Sequence, residues 1–229
     1  MSQFSLDSRE LTGRAASHVQ VAPDLDSRLH PAAIGPVRAL REAAAAAGID
    51  LAIVSSFRDF DRQRSIWNAK FRGERPLLSR LGQPLNAADL EESALIDAIL
   101  LWSALPGASR HHWGTDFDVI DRAATPVGYR AQLTVAEFTG DGPFARLNAW
   151  LDANLGNHGF FRPYATDRGG VHPEPWHLSY APVARAALNL LSLDVLYEAI
   201  ERSDLLGRDR VLARLPEIYT KYVTAVDPA

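Results

Sequence analysis

The sequence contains no cysteine, and this absence limits both how the fold can be held together and what chemistry it can carry. Disulfide bridges, thiolate nucleophiles, iron–sulfur clusters and cysteine-based zinc sites are all excluded. The 229-residue chain must therefore be held by an apolar core, which its 47% hydrophobic content can supply. Any metal site must be built from histidine and carboxylate side chains.

Charge and hydropathy narrow the classes of function further. The chain has 24 basic and 28 acidic residues, a formal net charge of −4, so we expect no nucleic-acid partner. Its longest apolar stretches, such as residues 98–102, are far shorter than the roughly 20 residues of a membrane span. The chain begins with Met1 and shows no signal-peptide pattern, which predicts a soluble cytoplasmic protein; numbering that follows signal removal would instead predict the cell envelope.

The hydrophobic pattern predicts an α+β fold with a small antiparallel sheet. Helical spacing occurs in residues 31–48, 59–71, 89–105, 143–156 and 182–229. Strand patterns occur in residues 50–56, 115–120, 158–162 and 176–180. These elements do not alternate regularly, which argues against βαβ winding. We expect an irregular N-terminal arm (1–30), a core (31–181) and a C-terminal helical extension (182–229) packed on the same domain.

Three of the seven histidines lie in two short polar segments. The first, SRHHWGTDFD at residues 109–118, places His111 in a loop and Asp118 on a predicted strand, and Gly114 tolerates the turn between them. The second, EPWH, ends at His177. His111, Asp118 and His177 have the composition of a catalytic zinc site, which uses three such ligands and keeps a fourth position open. The sequence therefore predicts one zinc ion per chain.

Two further residues complete the predicted site. Glu174 precedes His177 by three residues, with Pro175 between them, so a turn or extended backbone could hold its carboxylate near the metal without ligation. This makes Glu174 the natural general base. Arg58 lies where a buried strand gives way to a helix, and its guanidinium could bind either a tetrahedral oxyanion or a substrate carboxylate. Together these residues predict metal-assisted hydrolysis.

The three motifs, taken in order, resemble the zinc D,D-peptidases of the VanX, VanY and LdcB type. The motifs are Ser56-Phe-Arg58 with Gln63, Ser109-x-His111-x-x-Gly114-x-x-x-Asp118 and Glu174-x-Trp176-His177, within residues 54–180. The resemblance implies a Hedgehog/D,D-peptidase-like fold whose antiparallel sheet surrounds the zinc. It also implies that His111, Asp118 and His177 are the ligands, that Glu174 is the base and that Arg58 steadies the substrate or transition state.

The activity implied by this resemblance is hydrolysis of peptide bonds at D-alanine in cell-wall peptides. We predict a D-alanyl-D-alanine carboxypeptidase with a D-Ala-containing peptide or muropeptide as substrate. A D-Ala-D-Ala dipeptidase, an L,D-carboxypeptidase and a stem-peptide endopeptidase remain alternatives on the same metal site. A non-catalytic peptidoglycan-binding module with structural zinc is an alternative of a different class. The intact Glu174 argues against it, because a structural site needs no unligated base.

One position departs from the family pattern, because Asp116 stands where alanine is usual. Asp116 shares a strand face with Asp118, so it could support a ligand, compete for the metal or bind a substrate amine. We place Asp116 with Ser109 and Gln63 as predicted substrate-binding residues. For Tyr164, in the loop before the second histidine segment, we favour a plain turn.

Overall fold

The computed structural model describes residues 5–229 of the chain. Residues 1–4, the start of the predicted N-terminal arm and of the segment without a signal-peptide pattern, lie outside the described residues. None of the helices in the described part of the chain is long and apolar enough to cross a bilayer.

Helices and short strands follow one another along the described chain. The α-helices are α1 (Ser8–Leu11), α2 (Pro31–Ala46), α3 (Phe60–Phe71), α4 (Glu92–Leu100), α5 (Val135–Phe138), α6 (Ala145–Asn154), α7 (Ala181–Leu190), α8 (Leu193–Glu201), α9 (Arg208–Ala213) and α10 (Leu215–Ile218). The strands are β1 (Gln20–Ala22), β2 (Ser27–Leu29), β3 (Leu51–Ser55), β4 (Leu77–Leu78), β5 (Pro84–Leu85), β6 (Asp116–Asp121), β7 (Phe160–Phe161) and β8 (His177–Tyr180). Short 3₁₀ turns cover Pro23–Leu25, Ala87–Asp89, Arg110–Trp113 and Leu155–His158, and a π-helical turn covers Tyr219–Val223.

The central feature is a four-stranded antiparallel sheet in the order β3-β6-β8-β7. Alternate residues of its middle strands point to opposite faces. Phe117, Val119 and Leu178 point to an apolar cluster that also contains buried residues of α2 and α6. Asp118 and His177 point to the other face and are direct cross-strand partners. The small antiparallel sheet with flanking helices confirms the predicted α+β fold.

A second apolar cluster joins the C-terminal helices to α3 and α4. Representative buried members are Trp67, Ile99, Ala184, Ile200 and Ile218. The indole nitrogen of Trp67 also donates a hydrogen bond to the Leu206 carbonyl at 3.0 Å. Residues after 181 therefore pack against the same body as the sheet, while the boundaries between the proposed regions stay a prediction.

The N-terminal region is more ordered than the sequence predicts. The first helix begins with a capping box, in which the side chains of Asp7 and Glu10 each accept a hydrogen bond from the other residue's backbone N–H. Strands β1 and β2 form an antiparallel hairpin. The Trp113 indole donates to the Leu11 carbonyl at 3.1 Å, which attaches this region to the core. Elements of three or four residues are too short to show a hydrophobic period, which explains why the expectation of an irregular arm was wrong.

The structure also corrects two further expectations. The helix expected over residues 89–105 covers only Glu92–Leu100. The loop predicted around residues 73–84 contributes to a two-stranded hairpin made by β4 and β5. Strands of two residues leave no readable pattern in the sequence.

Gly114 forms the turn that leads from the first histidine segment into β6. Its φ is +67°, and an added Cβ would lie 2.5 Å from Val19 Cγ1 and 2.8 Å from the His30 nitrogen. We expect Gly114→Ala to lower the free energy of unfolding by at least about 1–2 kcal/mol, because left-handed backbone strain and a steric clash add together. Chemical denaturation measures the change. Gly156→Ala is the control, since its added Cβ meets no atom within 4 Å; an equal loss in both variants would contradict this account.

Candidate active site

His111, Asp118 and His177 form one buried cluster. Each contributes one potential ligand atom to a group whose members lie within 4.8 Å of one another. Asp118 Oδ2 lies 3.5 Å from His111 Nε2, and Asp118 Oδ1 lies 3.3 Å from His177 Nδ1. The structure therefore brings together the three residues that the sequence singles out as metal ligands.

Local structure explains how residues from distant parts of the chain meet. Asp118 and His177 are directly opposite each other in the antiparallel pairing of β6 with β8. Their side chains share a face of the sheet, because cross-strand partners point the same way. His111 lies in the 3₁₀ turn Arg110–Trp113, and the left-handed Gly114 then directs the chain into β6. Strand register and one glycine turn thus position all three side chains.

The outer nitrogen of each histidine ring is held by the protein. His111 Nδ1 lies 3.0 Å from the Ser56 carbonyl, and His177 Nε2 lies 3.0 Å from Asp116 Oδ1. A carbonyl or carboxylate can only accept, so these outer nitrogens carry the hydrogen. In the neutral rings, His111 Nε2 and His177 Nδ1 then present lone pairs to the cluster. Such outer partners are typical of metal-binding histidines.

The residues present fit a zinc ion. Asp118 Oδ1 is buried and has no hydrogen-bond partner among residues 5–229, which is unfavourable for a carboxylate unless a cation binds it. Two imidazoles and a carboxylate are a typical donor set for catalytic zinc. Bond lengths of about 2.1 Å in a tetrahedral site imply ligand separations of about 3.4 Å. The distances of 3.5 Å from Asp118 Oδ2 to His111 Nε2 and of 3.3 Å from Asp118 Oδ1 to His177 Nδ1 are close to that spacing, and one ligand atom from each residue lies within 4.8 Å of the others.

The electrostatic surroundings of the two histidines differ. Burial lowers the pKa of His111 to about 3, which keeps its ring neutral and able to act as a ligand. Burial also acts to lower the pKa of His177, but the hydrogen bond with Asp116 and the nearby carboxylates of Asp118 and Glu174 outweigh it and raise this pKa well above its ordinary value. Three carboxylates around one imidazole thus favour positive charge at this place.

Glu174 lies beside the cluster but outside the group of three ligand atoms. Its Oε2 is 3.3 Å from His177 Nδ1. The backbone N–H of His177 donates a hydrogen bond to the backbone carbonyl of Glu174 at 3.1 Å. This bond closes a turn with Pro175 at its second position. Burial raises the pKa of Glu174, while its contacts with His177 act in the opposite direction. The carboxylate is therefore placed where it can accept a proton within the site.

Arg58 reaches the site in an orientation that its neighbours fix. Its Nη1 donates to Gln63 Oε1 at 2.6 Å, and its Nη2 donates to Ser55 Oγ at 3.1 Å. Gln63 is fully buried and donates to the Ala104 carbonyl at 2.7 Å. The predicted substrate contact at Gln63 is therefore revised: both ends of its amide are engaged by protein, and it orients Arg58.

Asp116 is also revised from a substrate contact to a support of the site. It is fully buried, and it accepts hydrogen bonds from Arg110 Nε at 2.7 Å, Thr115 Oγ1 at 2.6 Å and Ser179 Oγ at 3.0 Å. Together with its contact to His177 Nε2, these bonds occupy both carboxylate oxygens. Of the three alternatives that the sequence leaves open, the structure favours support of a ligand.

A comparison with known protein families supports the same interpretation of the site. A sequence model of the VanY family, described as D-alanyl-D-alanine carboxypeptidase, matches residues 26–183. The chain belongs to this family. The match contains every residue of the cluster described above, and it confirms the resemblance drawn from the motifs. Membership in the VanY family identifies a peptidase of the carboxypeptidase type and supports hydrolysis of peptidoglycan peptides.

Similar proteins extend this result. This chain is 35% identical over 121 residues to an uncharacterised protein of Haemophilus influenzae. The aligned residues cover 52% of this chain and 92% of the relative. The solved structure of VanYB in complex with D-alanine-D-alanine superposes with a TM-score of 0.54 at 20% identity, over 89% of this chain and 93% of that one. A mutant of the vancomycin-resistance D,D-pentapeptidase VanY, in complex with Zn(II), gives 0.53 at 23% identity over 77% and 86%. These likenesses confirm the fold.

The cavity over the cluster shows which residues sequence reasoning missed in this VanY-family chain. It has a volume of about 330 Å³, and its walls include Ser109, Arg58 and Glu174 as well as Lys70, Arg75, Trp102 and Tyr164. Tyr164 lies in a turn, as the sequence predicts, and its buried ring also lines the cavity, 5.2 Å from the ring of His177. Ser109 stays a predicted substrate contact.

Proposed function

We propose that this chain is a zinc-dependent D-alanyl-D-alanine carboxypeptidase that cleaves peptide bonds at D-alanine in bacterial cell-wall peptides. One observation carries the proposal: His111, Asp118 and His177 form a buried three-atom group with the Glu174 carboxylate beside it. The family description supports the reaction. The complex of VanYB with D-alanine-D-alanine, a protein of the same fold, supports the choice of substrate.

His111, Asp118 and His177 would hold one zinc ion through their converging nitrogen and oxygen atoms. When bound, zinc supplies Lewis acidity, which polarises a carbonyl group and makes water more acidic. Asp116 and the Ser56 carbonyl keep the two imidazoles in the ligand tautomer and orientation. These residues therefore prepare the site before a substrate arrives.

Glu174 is the proposed proton carrier of the reaction. Its carboxylate, only 14% exposed, has a raised pKa, so it accepts the proton of the attacking water more readily than an exposed glutamate does. The same carboxyl group then delivers this proton to the amine that leaves. The Arg58 guanidinium, oriented by Gln63 and Ser55, donates hydrogen bonds to the negative charge that develops on the substrate.

Release of D-alanine tests the proposal. We expect the zinc-loaded protein to release D-alanine from a blocked peptide that ends in D-Ala-D-Ala, and to leave the matched peptide ending in D-Ala-L-Ala intact. Cleavage restricted to the free dipeptide would identify a dipeptidase, and cleavage restricted to L-Lys-D-Ala ends an L,D-carboxypeptidase. Cleavage inside a peptide with a blocked C-terminus would identify an endopeptidase. Binding of these peptides without any turnover would favour the non-catalytic module.

Removing the charge of Asp116 is expected to weaken metal binding. Asp116→Asn keeps the shape of the side chain but replaces the carboxylate that holds His177 Nε2 at 3.0 Å. We expect zinc affinity to fall about 10- to 100-fold, which is typical for loss of an outer partner of a metal-binding histidine. Competition with a chromophoric chelator measures this affinity. Asp209→Asn is the control, because that side chain is 88% exposed; equal zinc affinities in both variants would contradict the assigned role.

A further inference from the structure

A second, larger cavity opens directly from the site. It has a volume of about 1270 Å³ and shares Arg58, Ile66, Lys70, Arg75 and Trp102 with the cavity over the metal cluster. We call it the outer groove. Ile66 and Lys70 are four residues apart on α3, so they lie on one face of that helix. A substrate bound at the cluster can therefore extend along the outer groove past Lys70 and Arg75.

The outer groove is strongly cationic, although the chain as a whole carries a net charge of −4. Among its described wall residues there is no aspartate or glutamate. The basic side chains in its wall are Arg58, Arg62, Lys70, Arg75, Arg80 and Arg130. This separation of charge indicates a surface that attracts anions.

Most of these cations form no salt bridge with the acidic residues of the described chain, 5–229. Arg80 is paired with Asp167 at 2.6 Å. Within residues 5–229, by contrast, Lys70, Arg75 and Arg130 form no salt bridge. A cation without an acidic partner is available to an anionic ligand.

Lys70 is the most informative of these residues. It is half-buried on the last turn of α3, in the wall of the same cavity as Glu174. Burial lowers the pKa of Lys70, Arg75 lowers it further, and Glu174 acts in the opposite direction. Holding an ammonium group partly out of water beside a second cation is unfavourable, and an anionic group of a ligand would relieve it.

We propose that Lys70 and Arg75 form a carboxylate-binding subsite that selects substrate peptides with an anionic group next to the scissile bond. This inference rests on the proposed function and adds a specificity element to it. Asp118 and Glu174 would repel an approaching carboxylate, and the two cations Lys70 and Arg75 in the wall of the same cavity compensate for that repulsion. The carboxylate can come from the free C-terminus of the peptide or from an acidic side chain.

Kinetics with three peptides distinguishes these sources. The peptides are a D-Ala-D-Ala peptide with a free C-terminus and neutral side chains, its C-terminal amide, and the amide with one glutamate upstream. In zinc-loaded Lys70→Met and Arg75→Gln, we expect KM for the recognised anionic peptide to rise about 10- to 100-fold with kcat nearly unchanged, as for loss of a hydrogen bond to a charged group. A rise in KM confined to the peptide with the free C-terminus identifies the C-terminal carboxylate as the recognised group. A rise confined to the amide with the upstream glutamate identifies the acidic side chain. Arg75→Lys should keep most of the affinity.

Arg72→Gln is the matched control. Arg72 follows α3, is paired with Glu74 at 2.6 Å and lies in neither cavity wall, so its removal should leave KM unchanged. Equal KM changes for charged and neutral peptides, or no change at all, would overturn the subsite while turnover by the wild type upholds the proposed function. If the wild type cleaves none of the peptides, the proposed function fails. Calorimetric binding of the same peptides to the wild type and to Lys70→Met then decides the subsite: weaker binding in the variant supports it, and equal or absent binding overturns it.

Discussion

Replacing Glu174 with glutamine is expected to lower kcat by about 10²- to 10⁴-fold, the range typical for loss of a general acid–base group. The Glu174 carboxylate lies 3.3 Å from His177 Nδ1 but is not one of the three clustered ligand atoms. Glutamine has the same size and can occupy the same turn, yet it cannot take up a proton. The variant should therefore bind one zinc ion per chain, as the wild type does, while losing its rate.

Two measurements on one preparation check this prediction. Elemental analysis gives the zinc content, and steady-state release of D-alanine gives kcat. Glu198→Gln is the matched control, because Glu198 is exposed on α8 and should keep the wild-type rate. A Glu174→Gln protein that holds its zinc and keeps full kcat would show that another group carries the proton. A variant without zinc would assign Glu174 to the ligand set.

Asp118→Asn is expected to abolish both zinc binding and hydrolysis. Asp118 contacts both histidines of the cluster, at 3.5 and 3.3 Å, and it supplies the negative charge among the three ligand atoms. An asparagine keeps the shape of the side chain but loses its negative charge. That charge matters mainly for binding a divalent ion, because Asp118 Oδ1 has no hydrogen-bond partner in the described chain. We expect activity at least about 10³-fold below the wild type, with the fold retained.

Thermal unfolding separates loss of metal from loss of fold. Zinc at 1,000 times its dissociation constant should stabilise the wild type by about 4 kcal/mol, which raises its Tm. Asp118→Asn should unfold cooperatively and show no zinc-dependent rise. Asp204→Asn is the control, because its side chain is 98% exposed and should leave the rise unchanged. A zinc-dependent rise of wild-type size in Asp118→Asn would remove Asp118 from the ligand set.

The sequence predicts the cluster because its spacing contains most of the geometry. The period of two in β6 fixes the face on which Asp118 lies, and the glycine at 114 identifies the turn that brings His111 back. Pro175 between Glu174 and His177 favours the turn that the structure contains. Local rules of backbone conformation were sufficient at each of these positions.

Other parts of the site depend on packing between distant segments. Gln63 looks like a substrate contact until its amide is seen between Arg58 and the Ala104 carbonyl. Asp116 shares a face with Asp118, as predicted, but its buried partner Arg110 decides what the carboxylate does. Side-chain partners of this kind are set by tertiary structure, which a single sequence does not contain.

Of the site residues that the sequence analysis missed, one could have been identified from local periodicity and the others depend on tertiary structure. Ser179 lies two residues after His177 on a strand, so the period of two could have identified it as a partner on the same face. Lys70 and Arg75 carry no such signal, because helix α3 and the following loop meet the site only in the folded chain. Charge in the sequence does not reveal which cations lie together.

Zinc dependence of D-alanine release is the most direct test of the account. The purified protein is stripped with a chelator, dialysed and titrated with zinc, while bound zinc and release of D-alanine from a D-Ala-D-Ala peptide are measured in parallel. The account predicts no release from the stripped protein, and a rate that rises with zinc and saturates at one ion per chain. Full turnover by protein that contains no metal would contradict the assignment of His111, Asp118 and His177 as a catalytic zinc site.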